Sequence, residues 1–135
     1  MNKIIEKTIE INSKPENVWR VFSDSETTKK MGGSYVSDWK IGSSFGWHNN
    51  DGEVVTRGEI IEIEPKKLLK HKLFNANKKS LIDSIITYEF VEVNGRTILK
   101  AKEELNYSVS EKQFEEIMEG WNIALDFVKN IAEKL

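Results

Sequence analysis

The side chains with the most chemical potential in this sequence are its large aromatics. Trp39, Phe45, Trp47, Phe74, Tyr88, Phe90 and Trp121 are distributed along a chain of 135 residues. Rigid rings of this size line concave apolar cavities, while indole N–H and phenol O–H groups orient a bound molecule. The same rings also fill ordinary cores, so their placement decides between the two uses. His48 and His71 are the only histidines, and there is no cysteine. Neither histidine has a second His or a carboxylate at metal-binding spacing. Disulfides, thiolate metal sites and a cysteine nucleophile are excluded. Ser84 and Ser110 lack an adjacent base in a recognisable nucleophile motif, and the glycines form neither a P-loop nor a dinucleotide fingerprint. The sequence therefore assigns no catalytic residue, no metal and no cofactor.

The remaining polar candidates depend on strand parity. His48 follows Trp47 and should point opposite to it, whereas His71, within KLLKHKLF, is expected to face solvent. Parity with Leu99 and Ala101 turns Glu103 inward, where a lone carboxylate needs a partner such as Arg57 or holds its proton. The commoner outcome for a strand end is exposure, with a salt link to Lys102 or Lys100. The pairs Lys29-Lys30, Lys66-Lys67 and Lys78-Lys79 read as solvated faces interleaved with acids.

These residues need a scaffold, and the sequence describes a single α+β domain over residues 1–135. Hydrophobic residues at 39% and charged residues at 31% are globular proportions. A net charge of −2 provides no field for a phosphate backbone, so nucleic acid is not an expected partner. The opening residues lack the apolar core of a signal peptide, and no stretch reaches the ~20 apolar residues of a membrane span. The expected location is the cytoplasm.

A first strand is expected over Lys3 to Ile11. Pro15, tolerated in a helix's first turn, opens a short amphipathic helix carrying Val18, Trp19 and Phe22. Asp24 caps a second short helical segment that ends at Gly32-Gly33. The runs SYVSDW, SSFGWH, EVVTRGEIIEIE, KLLKHKLF, SIITYEFVEV and RTILKAKEEL, separated by turn residues, read as an antiparallel meander. Its clearest hairpin joins Ile85 to Val93 with Arg96 to Leu105 through Asn94-Gly95, the pair suited to a two-residue type I′ turn. Ile86, Tyr88 and Phe90 share a face there, as do Thr97, Leu99 and Ala101. Ser110 and Gln113 stand at capping-box spacing before a helix to Leu135. Phe114, Ile117, Met118, Trp121, Leu125, Val128, Ile131, Ala132 and Leu135 give that helix an apolar stripe needing a sheet-sized partner.

Ordered motifs then tie the chain to a known family. They are Pro15-Glu16-Asn17-Val18-Trp19, Ser37-Asp38-Trp39-Lys40-Ile41-Gly42-Ser43, Trp47, Gly58-Glu59-Ile60-Ile61-Glu62-Ile63-Glu64-Pro65 with Leu68, Thr97-x-Leu99, and Gly120-Trp121. Together they resemble the activator of Hsp90 ATPase homologue 1-like family of the START/Bet v 1-like superfamily. The sequence departs from that pattern at Pro65-Lys66, often a double Pro, and at Met31 to Ser34, usually an aromatic-containing stretch. The resemblance implies a helix-grip fold: a curved antiparallel sheet wrapped around the long C-terminal helix, with two short helices between the first two strands. It also implies a cavity between helix and sheet, for which Trp39, Phe45, Trp47, Ile60, Phe74, Ile86, Tyr88, Leu99, Glu103, Trp121 and Leu125 are the expected lining. Gly120 would allow close helix–sheet approach or make room for ligand. The leading expectation is non-enzymatic binding of a small hydrophobic or amphipathic molecule by a monomer or weak homodimer. The alternative is a stress-related, co-chaperone-like domain that docks on a chaperone or another protein. An enzyme of the cyclase or hydrolase type rests on fold analogy alone.

Overall fold

The computed structural model describes residues 3–135. Strand β1 (Ile4–Ile11) leads into helices α1 (Pro15–Ser23) and α2 (Ser25–Thr28) and a short 3-10 turn at Lys29–Met31. Pro15 occupies the first turn of α1. Asp24 caps α2 by accepting from the Glu26 amide at 3.3 Å and the Thr27 hydroxyl at 2.8 Å. The helical segment stops where Gly32 adopts φ 97, a conformation glycine reaches without a Cβ penalty.

The main sheet has five antiparallel strands in the order β1-β7-β6-β5-β4, built from β4 (Gly58–Glu64), β5 (Leu68–Phe74), β6 (Ile82–Val93) and β7 (Arg96–Leu105). At the Asn94-Gly95 turn both residues have positive φ, 53 and 81, as a type I′ turn requires. Val93 and Arg96 close the ladder beside it. Ile86, Tyr88, Phe90, Thr97, Leu99 and Ala101 all face the core. Lys66 adopts φ 69 at the β4–β5 turn, a conformation closed to proline. This chain's departure from the double Pro therefore matches its turn geometry.

Two sequence expectations are corrected. β2 (Gly33–Ser37) and β3 (Phe45–Asn49) form a separate two-stranded sheet instead of joining the meander. They tether to β4 through Gly42 and Ser43, whose backbones exchange hydrogen bonds with Ile60 at 2.9 and 3.0 Å. EVVTRGEIIEIE is not one strand: Val54 bridges back to His48, and continuous pairing begins only at Gly58. This stretch runs close beside β3, where a Cβ on Gly46 would come within 2.6 Å of the Thr56 carbonyl oxygen.

Helix α3 (Glu111–Ala132, 22 residues) is shorter than the 26-residue segment from Ser110 to Leu135. Ser110 and Gln113 form both halves of its capping box, at 3.1 and 3.0 Å. Leu125, Val128 and Ala132 are buried in the core with Ile11, Val18 and Phe22. Phe114, Ile117, Met118 and Trp121, toward the other end of the same stripe, are only half-buried.

Candidate functional site

Beneath the less buried half of α3 lies a compact polar group within an aromatic wall. Glu103, near the end of β7, points inward as parity requires. The Trp121 indole N–H donates to its Oε1 at 2.9 Å, and the Ser84 hydroxyl donates to its Oε2 at 2.8 Å. The expected partner Arg57 is not involved, and the exposed alternative is also corrected. Lys102 pairs instead with Glu104 at 3.2 Å. Each carboxylate oxygen thus has a neutral donor, which offsets part of the cost of desolvating the charge.

The wall continues from Trp121 to Tyr88, with ring centroids 5.8 Å apart, and from Tyr88 to Phe22 at 4.8 Å. Tyr35 stacks on Phe45 at 4.7 Å and meets Trp47 edge-on at 4.9 Å. Burial raises the Tyr88 hydroxyl's pKa well above its ordinary value, with Tyr35 and the Glu103 charge adding to the effect. Burial likewise raises Tyr35. Both phenols therefore remain protonated at neutral pH, with the Tyr88 hydroxyl donating to that of Tyr35.

His71 is a correction with chemical consequence. Instead of facing solvent it is 4% exposed, its ring 4.4 Å from that of Phe45 and 6.4 Å from that of Tyr88. Its Nδ1 has no hydrogen-bond partner. Burial lowers its pKa from 6.5 to about 4, so it is neutral at pH 7. The missed signal was parity: on β5, His71 stands two residues from Leu69, which is fully buried opposite Tyr88. The same reasoning on β6 finds Ser84, two residues from Ile86.

The eleven expected lining residues divide by location. Ile86, Tyr88, Leu99, Glu103, Trp121 and Leu125 meet on the face between α3 and the sheet, with Ile60 fully buried in the same core. Trp39 packs edge-on against Trp19 at 5.8 Å and Phe45 at 5.5 Å. Its φ of 58 is a strained left-handed conformation for a bulky residue. The Ser37 hydroxyl holds that turn by accepting the Trp39 amide at 3.0 Å. Trp47 lies over Gly33, where a Cβ would approach its ring to 2.7 Å. Phe45 is buried in the same core against Tyr35, Trp39 and His71, whereas Phe74 reaches a different place, an outer groove of about 420 Å³ shared with Val36, His48, Arg57 and Lys79. Gly120 faces solvent with nothing within 4 Å of its missing Cβ. It neither brings helix and sheet together nor makes room between them.

Among the described residues no group of His, Cys, Asp or Glu could hold a metal ion, and no helix is long and apolar enough to cross a membrane.

Residues 12–133 match the family described as activator of Hsp90 ATPase homolog 1-like protein. The chain belongs to this family. Its fold is the helix-grip fold anticipated for the Hsp90-activator-like family, and solved structures repeat it. Protein MLL2253 from Mesorhizobium loti superimposes with a TM-score of 0.81 at 16% identity, covering 98% of both chains. ChR145 from Cytophaga hutchinsonii gives 0.78 at 24% identity, covering 98% of this chain and 94% of its own. A structure described as the Aha1 dimer from Colwellia psychrerythraea gives 0.77 at 16% identity, covering 97% and 94%. No curated protein sequence matches the chain. At these identities the structural likeness establishes the fold.

Proposed function

We propose that this Hsp90-activator-like domain binds a small hydrophobic or amphipathic molecule between the N-terminal half of α3 and the sheet. The observation carrying this reading is the change in depth along one apolar stripe. Leu125, Val128 and Ala132 are buried, whereas Phe114, Ile117, Met118 and Trp121 remain half-buried. Within that second group Trp121 joins the polar cluster directly, through its bond to Glu103 and its contact with Tyr88. Apolar enclosure would supply most of the affinity, while the Glu103 carboxylate and the Tyr88 hydroxyl fix orientation. A donor group on the ligand would take the place of Trp121 or Ser84 at Glu103, since a displaced hydrogen bond must be replaced.

The test is titration with anilinonaphthalene sulfonate and a panel of fatty acids and aromatic compounds, followed by Trp fluorescence and thermal shift. Binding should raise the melting temperature and perturb Trp121 emission, and Met118→Glu should abolish both responses. Absence of any response across the panel would overturn the reading.

The family match favours a second reading, docking on a chaperone ATPase. Co-purification with that ATPase and a changed hydrolysis rate would support it, while no capture and an unchanged rate would reject it.

A further inference from the structure

The outward face of α3 carries apolar groups that the fold does not use. Ile123 is 55% exposed and Phe127 50% exposed, one helical turn apart. At about 100° per residue they lie opposite the buried Leu125, Val128 and Ala132. Glu116, Gly120 and Asn130 are also exposed and continue the same stripe, and exposed Lys134 follows in the turn just beyond Ala132, the last residue of the helix.

The order of this stripe is self-complementary. Glu116 and Lys134, Gly120 and Asn130, and Ile123 and Phe127 are each placed symmetrically about position 125. With two copies of α3 antiparallel and that position on a twofold axis, Ile123 and Phe127 face each other twice at the centre. Gly120 of either copy, exposed and without a side chain, adds no bulk beside the incoming Phe127 ring. At both ends the Glu116 carboxylate meets the Lys134 ammonium of the other copy. Neither residue forms an ion pair within the described residues. A parallel arrangement would instead oppose Glu116 to Glu116 and Lys134 to Lys134.

From this juxtaposition we propose that the partner of the exposed α3 face is a second copy of the chain, docked antiparallel about position 125. A twofold dimer needs one patch that complements itself, and opposite charges at opposite ends of an apolar centre meet that requirement. From Glu116 to the helix end at Ala132 the contact spans about 24 Å at ~1.5 Å per residue, with Lys134 in the turn beyond. One helix pair of that length falls at the small end of specific interfaces, below ~1,200 Å² of total buried surface, so association is weak and reversible. The stripe faces away from the region beneath α3, so this proposal stands independently of the ligand reading.

Sedimentation velocity on the full chain over a wide concentration range tests it. The expected result is a monomer–dimer equilibrium that Ile123→Glu shifts to monomer with unchanged circular dichroism. Glu116→Lys should weaken association by about tenfold at low salt through like-charge opposition. Glu116→Lys combined with Lys134→Glu should restore it to within about threefold, because the swap recreates both pairs. Since the natural chain has no cysteine, Gly120→Cys with Asn130→Cys gives a clean second readout: oxidation should produce a covalent dimer. A chain that stays monomeric at all concentrations overturns the proposal. So does a dimer insensitive to Ile123→Glu, or a charge swap that fails to restore association.

Discussion

The Trp121 indole N–H reaches the Glu103 carboxylate at 2.9 Å, tying the middle of α3 to the end of β7. Residues 18 positions apart thereby fix how the less buried half of the helix sits over the sheet. Trp121→Phe removes that donor while keeping most of the ring area, leaving Glu103 with only the Ser84 hydroxyl. A hydrogen bond to a charged group contributes about 1.5–3 kcal/mol, so urea denaturation should show a loss at the lower end of that range. In the Glu103→Gln background the same Trp substitution should cost less, because the acceptor is then neutral. A double-mutant cycle with no coupling would refute the assignment of this pair.

His71 makes stability depend on pH in a defined window. Its folded pKa, about 4, lies below its ordinary 6.5. In that interval the unfolded chain binds a proton that the native state refuses. The contribution is therefore fully present above pH 6.5 and is lost as pH falls toward 4. Between about pH 8 and about pH 5 the loss should reach ~2 kcal/mol, at ~1.36 kcal/mol per pH unit. His71→Phe removes both the titration and the unpartnered Nδ1. Chemical denaturation across that range should give a flatter profile for the variant, and an unchanged slope would show that His71 does not control it.

Glycines with identical backbone cost in the sequence should respond in opposite directions. A Cβ on Gly58 would come within 2.2 Å of the Lys72 carbonyl oxygen and 3.0 Å of that of Phe45. Backbone on both sides cannot relax, so Gly58→Ala should destabilise the protein by about 2–3 kcal/mol. Gly120 stands mid-helix in solvent with nothing nearby. Gly120→Ala should stabilise dilute protein by about 0.5–1 kcal/mol, because alanine loses less conformational freedom in a helix. Thermal melts of the two variants should move to opposite sides of the parent.

This contrast also explains what the sequence could convey. The β6–β7 hairpin was readable because Asn94-Gly95 and a period of two specify turn and face locally. The capping box at Ser110 and Gln113 was readable for the same reason. Separation of β2–β3 from the main sheet was not, since strand partnership is a long-range choice that leaves no periodic trace in either strand. His71 was hidden by its lysine neighbours, although parity with Leu69 placed it inside. Along α3 the apolar stripe is continuous in sequence, but burial is not. Depth depends on how far the sheet lies from each turn, a property of the assembled fold.

The capping box links helix stability to the proposed site. Ser110 and Gln113 satisfy two backbone donors where α3 begins, at 3.1 and 3.0 Å. The turn they hold carries Phe114, whose ring lies 4.9 Å from the Lys3 ammonium. Because the first half of α3 is shallowly packed, it has less tertiary support than the half bearing Leu125 and Val128, and local opening should begin there. Ser110→Ala should cost about 1 kcal/mol. Hydrogen exchange should accelerate at the amides around Gln113 and Ile117, with little change near Val128. Anilinonaphthalene sulfonate, if held beneath that half, should bind the variant more weakly, because ordering the frayed turn then costs part of the binding energy. Faster exchange with unchanged probe affinity would place the probe away from the first half of α3.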